Sequence, residues 1–190
     1  MLKFENLIRN LKQKNVQFKQ GLDNSDYDFI QNEFGIVFPP DLKEFYSEAL
    51  PVCDYFVDWS DRSQYNINSI NDRLLAPIEG ILFDIEHNSF WYNPWGKKPN
   101  NLDEASFLCR KECLLNVPKL IPIYSHRYIP MDPHEINNPI FSVHQTDIIY
   151  YGENLTSYFE VEFKIKPQTD IFFDKKKRIN FWSDIVEQYE

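Results

Sequence analysis

Two stretches decide the fold class: Pro118-Lys119-Leu120-Ile121-Pro122-Ile123-Tyr124-Ser125-His126-Arg127-Tyr128-Ile129-Pro130, and Asn138-Pro139-Ile140-Phe141-Ser142-Val143-His144-Gln145-Thr146-Asp147-Ile148-Ile149-Tyr150-Tyr151-Gly152. Short β-branched and aromatic runs separated by Pro, Asn and Asp read as four strands, at residues 120–124, 127–131, 140–143 and 148–151. Upstream, the pattern turns helical. Phe4, Leu7, Ile8 and Leu11 form a stripe within 2–14. Ser25-x-x-Asp28 resembles a capping box for a helix stopped at Gly35, and Pro39-Pro40 opens a third helix that ends at Pro51. Residues 16–18 suggest a short strand. Phe56-Val57-Asp58-Trp59 also looks strand-like, and residues 69–75 suggest a turn or two of helix. The run Gly80-Ile81-Leu82-Phe83-Asp84-Ile85-Glu86 reads as a strand with Asp84 and Glu86 on one face. Residues 102–115 read as a helix, Asn154 caps another to about residue 164, and 181–189 reads as a terminal amphipathic helix. Helices, then strands with one helix between, then helices give an α+β fold in a single domain, 1–190.

Composition narrows the class further. Of 190 residues, 31 are aromatic (16 Phe, 11 Tyr, 4 Trp), enough to build a substantial core and to exclude disorder as the main state. Five glycines leave little scope for Gly-rich phosphate loops. No apolar run reaches the ~18 residues of a membrane span, and the start Met1-Leu2-Lys3-Phe4-Glu5 lacks the basic and apolar regions of a signal peptide. The chain reads as cytoplasmic, with no membrane contact. Cys53, Cys109 and Cys113 are an odd set, read as apolar thiols rather than a disulfide framework; two helical thiols fall short of a zinc site, so no metal and no cofactor is expected.

The net charge is −9 but unevenly spread. Between Asp23 and Glu86 stand 14 acids and 3 bases, a net of −11. Phosphate binding needs clustered cations, so direct nucleic-acid binding is disfavoured; the single basic run, Lys175-Lys176-Lys177-Arg178, reads as a solvated loop. An acidic face suits a cationic partner.

No nucleophile elbow, zinc-protease or nucleotide-loop motif occurs. Asp84 and Glu86 are a candidate acid–base pair with His126, the basis of a hydrolase reading. The structural reading gives Asp84, Glu86, Arg127 and Asp147 to a polar core, with Arg127 paired to Asp84 first and Asp147 second. The aromatic cluster Phe90-Trp91-Tyr92-x-x-Trp95 reads as packing under a loop, with one exposed Trp as an anchor.

The passage Glu33-Phe34-Gly35-Ile36-Val37-Phe38-Pro39-Pro40-Asp41 resembles the opening pattern of the SUKH superfamily, which groups a cell-wall assembly regulator with bacterial immunity proteins. Phe83-Asp84-Ile85-Glu86-His87-Asn88-x-Phe90-Trp91 with Trp95-Gly96-x-x-Pro99, and the two stretches quoted at the outset, are similar to blocks of a bacterial branch. The likeness spans about 25–163. It departs at Asn137, where the pattern expects Gly, and at Leu50-Pro51, where it expects Asn-Gly. It implies a central, mostly antiparallel sheet flanked by helices, and no catalytic residues. It also implies an immunity-type protein that binds and neutralises a toxin of a bacterial polymorphic or contact-dependent system, the toxin being a basic nuclease domain in one version. A regulatory or scaffold module of the same fold is the alternative. For docking, Asp54, Asp58, Trp59, Asp61 and Tyr65 combine acids with aromatic anchors, and Asp41, Glu44 and Glu48 are the fallback face.

Overall fold

The computed structural model describes residues 3–170, 173 and 176–188. Its α+β fold combines seven α-helices with two antiparallel sheets among the described residues. The four expected strands form one meander in chain order: β3 (Leu120–Tyr124), β4 (Arg127–Pro130), β5 (Ile140–His144) and β6 (Asp147–Gly152). At the front, α1 (Glu5–Gln13) precedes β1 (Phe18–Gln20), and β1 pairs with β2 (Ala49–Pro51) after α2 (Asn24–Phe34) and α3 (Pro40–Glu48). The chain then forms α4 (Gln64–His87), α5 (Leu102–Asn116), the β-meander, α6 (Leu155–Glu162) and α7 (Trp182–Gln188).

Several boundaries differ from the sequence expectations, each for a local reason. The capping box of α2 is Asp23 with Asp26, not Ser25 with Asp28: Asp23 accepts from the Asp26 N–H and Asp26 from the Asp23 N–H, both at 3.1 Å. Helix α3 ends because Ala49 turns extended and its strand pairs with β1, so Leu50-Pro51 needs no Asn-Gly turn. Asn137 stands in the left-handed region (φ 61°), which Asn tolerates in place of Gly. Its N–H donates to buried Asp41 at 2.8 Å, while buried Asn138 donates to the carbonyls of Pro130 and Pro133.

The largest correction is 80–86, which lies in the last two turns of α4, a 24-residue helix capped by Ser63. Buried Ile70, Pro77, Ile81, Asp84 and Ile85 follow helical spacing, and that longer period overrides the local alternation of Ile81, Phe83 and Ile85. Pro77 sits inside this helix and has no N–H for the carbonyl of Arg73 four residues back. The Tyr128 hydroxyl donates to that carbonyl instead, at 3.1 Å. Gly80 is required by packing: a Cβ there would lie 2.7 Å from Cα of Gln145 in the β5–β6 turn.

Two apolar clusters fill the interior. One joins the front helices to α6 and one face of the meander, through Leu42, Phe45, Tyr46, Trp59, Ile121, Ile129 and Phe159. The other joins the end of α4, α5 and α7 to the meander through Ile81, Cys109, Phe141 and Trp182. Cys109 and Cys113 are buried in the second, their sulfurs 3.9 Å apart as free thiols. The aromatic cluster supplies packing, but no exposed tryptophan anchor: Trp91 and Tyr92 are buried and half-buried Trp95 stacks on Phe181 at 5.3 Å. No helix is long and apolar enough to cross a membrane among the described residues.

Candidate partner-binding surface

The segment 52–63 runs between β2 and α4 as irregular chain; of the expected strand at 56–59, only Phe56 pairs, in a single bridge with Tyr124. Its inward residues fix its course. Val57 and Trp59 are buried, and Trp59 packs edge-on to Phe38 and Phe34 at 5.1 and 6.0 Å. Trp59 is therefore a core residue, 1% exposed, and not a docking anchor. Phe56 stacks on Phe163 at 5.8 Å.

Polar contacts hold the outward residues. The Tyr55 carbonyl accepts from the Ser125 N–H at 2.9 Å and from the Arg73 guanidinium at 3.1 Å, which also donates to the Ser125 carbonyl. Asn66 on α4 donates to the carbonyls of Asp58 and Asp61 at 2.8 and 2.7 Å. Asp61 accepts from the Ser63 N–H. The loop is pinned at both ends to α4 and the β3–β4 turn, so its side chains project from fixed backbone.

Of the five expected docking residues, Asp54, Asp61 and Tyr65 are exposed, Tyr65 to 86%, and Tyr55 is exposed beside them in the chain. Asp58 is not a free acid. It bonds Lys19 at 2.5 Å and Ser60 through both N–H and hydroxyl. Burial raises the Asp58 carboxyl, but the Lys19 and Ser60 contacts outweigh it and hold it below the usual carboxylate value. Exposed Asp72, two helical turns beyond Tyr65, extends the acidic surface along α4; neither it nor Asp54 has an ion-pair partner among the described residues. The nearby cations are turned away: Arg62 pairs with Asp26 at 3.0 Å and Arg73 points into the backbone. The fallback face is occupied, since Asp41 is buried, Glu44 pairs with Lys3 and Glu48 accepts from the Phe4 N–H.

The four polar-core candidates separate. Asp84 is 3% exposed and bound by Thr146 and Asn88, not by Arg127. Glu86 projects outward from the same helix beside His87, because helical geometry turns positions two apart to different sides. Asp147 is exposed at the start of β6. Arg127 has a carboxylate partner that sequence reasoning missed, Glu162 on α6, at 3.1 Å; it also donates to Ser142 and lies 3.7 Å over the Tyr151 ring. No local pattern links residues 35 apart, and only the packing of α6 against β6 brings them together. His126 is exposed on the β3–β4 turn with Nδ1 3.0 Å from the Ser125 hydroxyl. Partial burial, then the charges of Arg127 and His144, lower its pKa. Asp84, Glu86 and His126 share no hydrogen bond among the described residues.

Among the described residues, no group of three or more His, Cys, Asp or Glu is placed to hold a metal. The described members of the basic run are engaged: Lys176 lies over the Tyr150 ring, Lys177 pairs with Glu135, and Arg178 with Glu187 and Asp184, whereas Lys175 is outside the described residues. No family model, curated protein or solved structure matches this chain.

Proposed function

We propose that this chain is a SUKH-type immunity protein that binds a cationic bacterial toxin and neutralises it by occupying its surface, without turnover. What carries this reading is the surface formed by Asp54, Tyr55, Asp61, Tyr65 and Asp72: carboxylates without an ion-pair partner among the described residues, beside exposed aromatic rings, on α4 and on backbone pinned to α4 and the β3–β4 turn. Rings supply desolvated contact area, and acids supply steering toward a basic partner. A pinned loop loses little conformational freedom on docking, which favours tight association. The resemblance of three sequence blocks supports the family.

The test is co-expression with the product of a toxin-like reading frame adjacent to the gene. The proposal expects growth rescue and co-purification of a stoichiometric complex. A chain that neither restores growth nor co-purifies is not the immunity protein of that toxin.

A further inference from the structure

Helices α4 and α5 and the start of β3 enclose an apolar groove of about 300 Å³. Ile78, Cys113, Leu120 and Trp182 line it, and the exposed side chains of Leu75 and Leu114 stand at its edge. Its polar fittings are few. Lys119 is the only charged residue lining it, and its ammonium makes one long contact, 3.4 Å to the Gly35 carbonyl, with no carboxylate partner among the described residues. Asn71 also lines the groove, and its amide has no hydrogen-bond partner among the described residues.

An apolar recess with a few polar groups is the usual form of a small-ligand site. Here the one charged group is the Lys119 ammonium, which favours a ligand with an anionic head and a hydrocarbon tail, and the Asn71 amide can donate or accept beside it. The groove's volume of about 300 Å³ lies in the range of small-ligand pockets. An aliphatic monocarboxylate of medium chain length matches its apolar lining and its single cation. We propose that this groove binds medium-chain aliphatic carboxylates, with the tail among Ile78, Leu120 and Trp182 and the carboxylate at Lys119 and Asn71. The site uses residues other than those of the toxin-binding reading, and Asn71 adjoins Asp72 on α4.

The experiment is calorimetric titration of the full chain with hexanoate, octanoate, decanoate and octanol, with tryptophan fluorescence as a second readout because Trp182 lines the groove. Affinity is expected to rise about fourfold per added methylene until the groove is full. Lys119→Gln, at an exposed position, is expected to weaken octanoate about tenfold and leave octanol unchanged. Leu114→Glu, also exposed, places a negative charge at the mouth and is expected to weaken octanoate with folding intact. Three results would overturn the proposal: no heat or fluorescence change at millimolar octanoate, equal loss of octanoate and octanol in Lys119→Gln, or unaltered octanoate binding in both variants.

Discussion

Replacing Asp84 by Ala tests how α4 is fastened to the sheet. The carboxylate is buried and accepts from the Thr146 N–H at 2.8 Å, the Thr146 hydroxyl at 2.6 Å and the Asn88 amide at 2.6 Å. Truncation leaves two donors of Thr146 buried without partners, while exposed Asn88 is free to turn to water. At about 1–3 kcal/mol for each orphaned buried donor, the loss is about 2–6 kcal/mol. That is a large share of the ~5–15 kcal/mol typical of a domain, and at ~2–4 °C per kcal/mol for a chain of this size a mid-range loss of ~4 kcal/mol lowers Tm by about 8–16 °C. Urea and thermal unfolding of Asp84→Ala, Thr146→Val and the double variant form a cycle in which the two changes are coupled by at least ~1 kcal/mol. The pH dependence supplies a second signature. Burial raises the Asp84 carboxyl, but the Thr146 and Asn88 bonds together outweigh it, so the folded-state pKa lies below the ordinary value. A depressed pKa contributes stability that is full above the unfolded carboxyl value of about 4 and is lost as pH falls through the folded value. The stability gap between the wild type and Asp84→Asn is therefore widest near neutrality and narrows below about pH 4. A loss under ~1 kcal/mol for Asp84→Ala, or additive single changes, would mean that the Asp84–Thr146 contact does not fasten α4 to the sheet.

Three further outcomes follow from the packing. Arg127→Met leaves Glu162 partly buried without its partner and removes the contact with Tyr151, so it should cost about 3 kcal/mol by urea unfolding. Tyr128→Phe deprives the Arg73 carbonyl of its donor and should cost about 1–2 kcal/mol; in a Pro77→Ala background, where residue 77 regains an N–H, the same change should cost measurably less. Gly80→Ala should destabilise by about 1–3 kcal/mol despite the better helix propensity of Ala, because the added methyl meets the Gln145 backbone; a more stable variant would show that this contact yields.

The β-meander was legible because turn residues bound each short run, and the strands found differ from those read by a residue or two. Helix α4 was not, because Pro77 and Gly80 are both helix-breaking residues and Ile81, Phe83 and Ile85 alternate like a strand. The tertiary structure accommodates each breaker, Pro77 through the Tyr128 hydroxyl and Gly80 through the close approach of Gln145. At the candidate surface, the exposure of Asp54 and Asp61 followed from an acidic irregular segment, whereas Tyr65 is exposed in the first turn of α4. The burial of Trp59 did not, since it depends on Phe34 and Phe38, which precede it by some 20 residues. The same holds for Asp58, whose partner Lys19 lies on β1, and for Arg127 with Glu162 on α6. Local pattern carries propensity and exposure; partner identity across the fold is set by packing.

The central claim is that the surface around Tyr65 steers and docks a basic toxin. Its most direct test is the association rate constant of the chain with the toxin encoded beside its gene, measured across ionic strength for the wild type and for Asp54→Lys/Asp61→Lys/Asp72→Lys. The account predicts a wild-type rate that falls steeply with salt, and a folded triple variant at least ~10-fold slower at low salt with little salt dependence. Equal rates and equal salt slopes for the two proteins would contradict it.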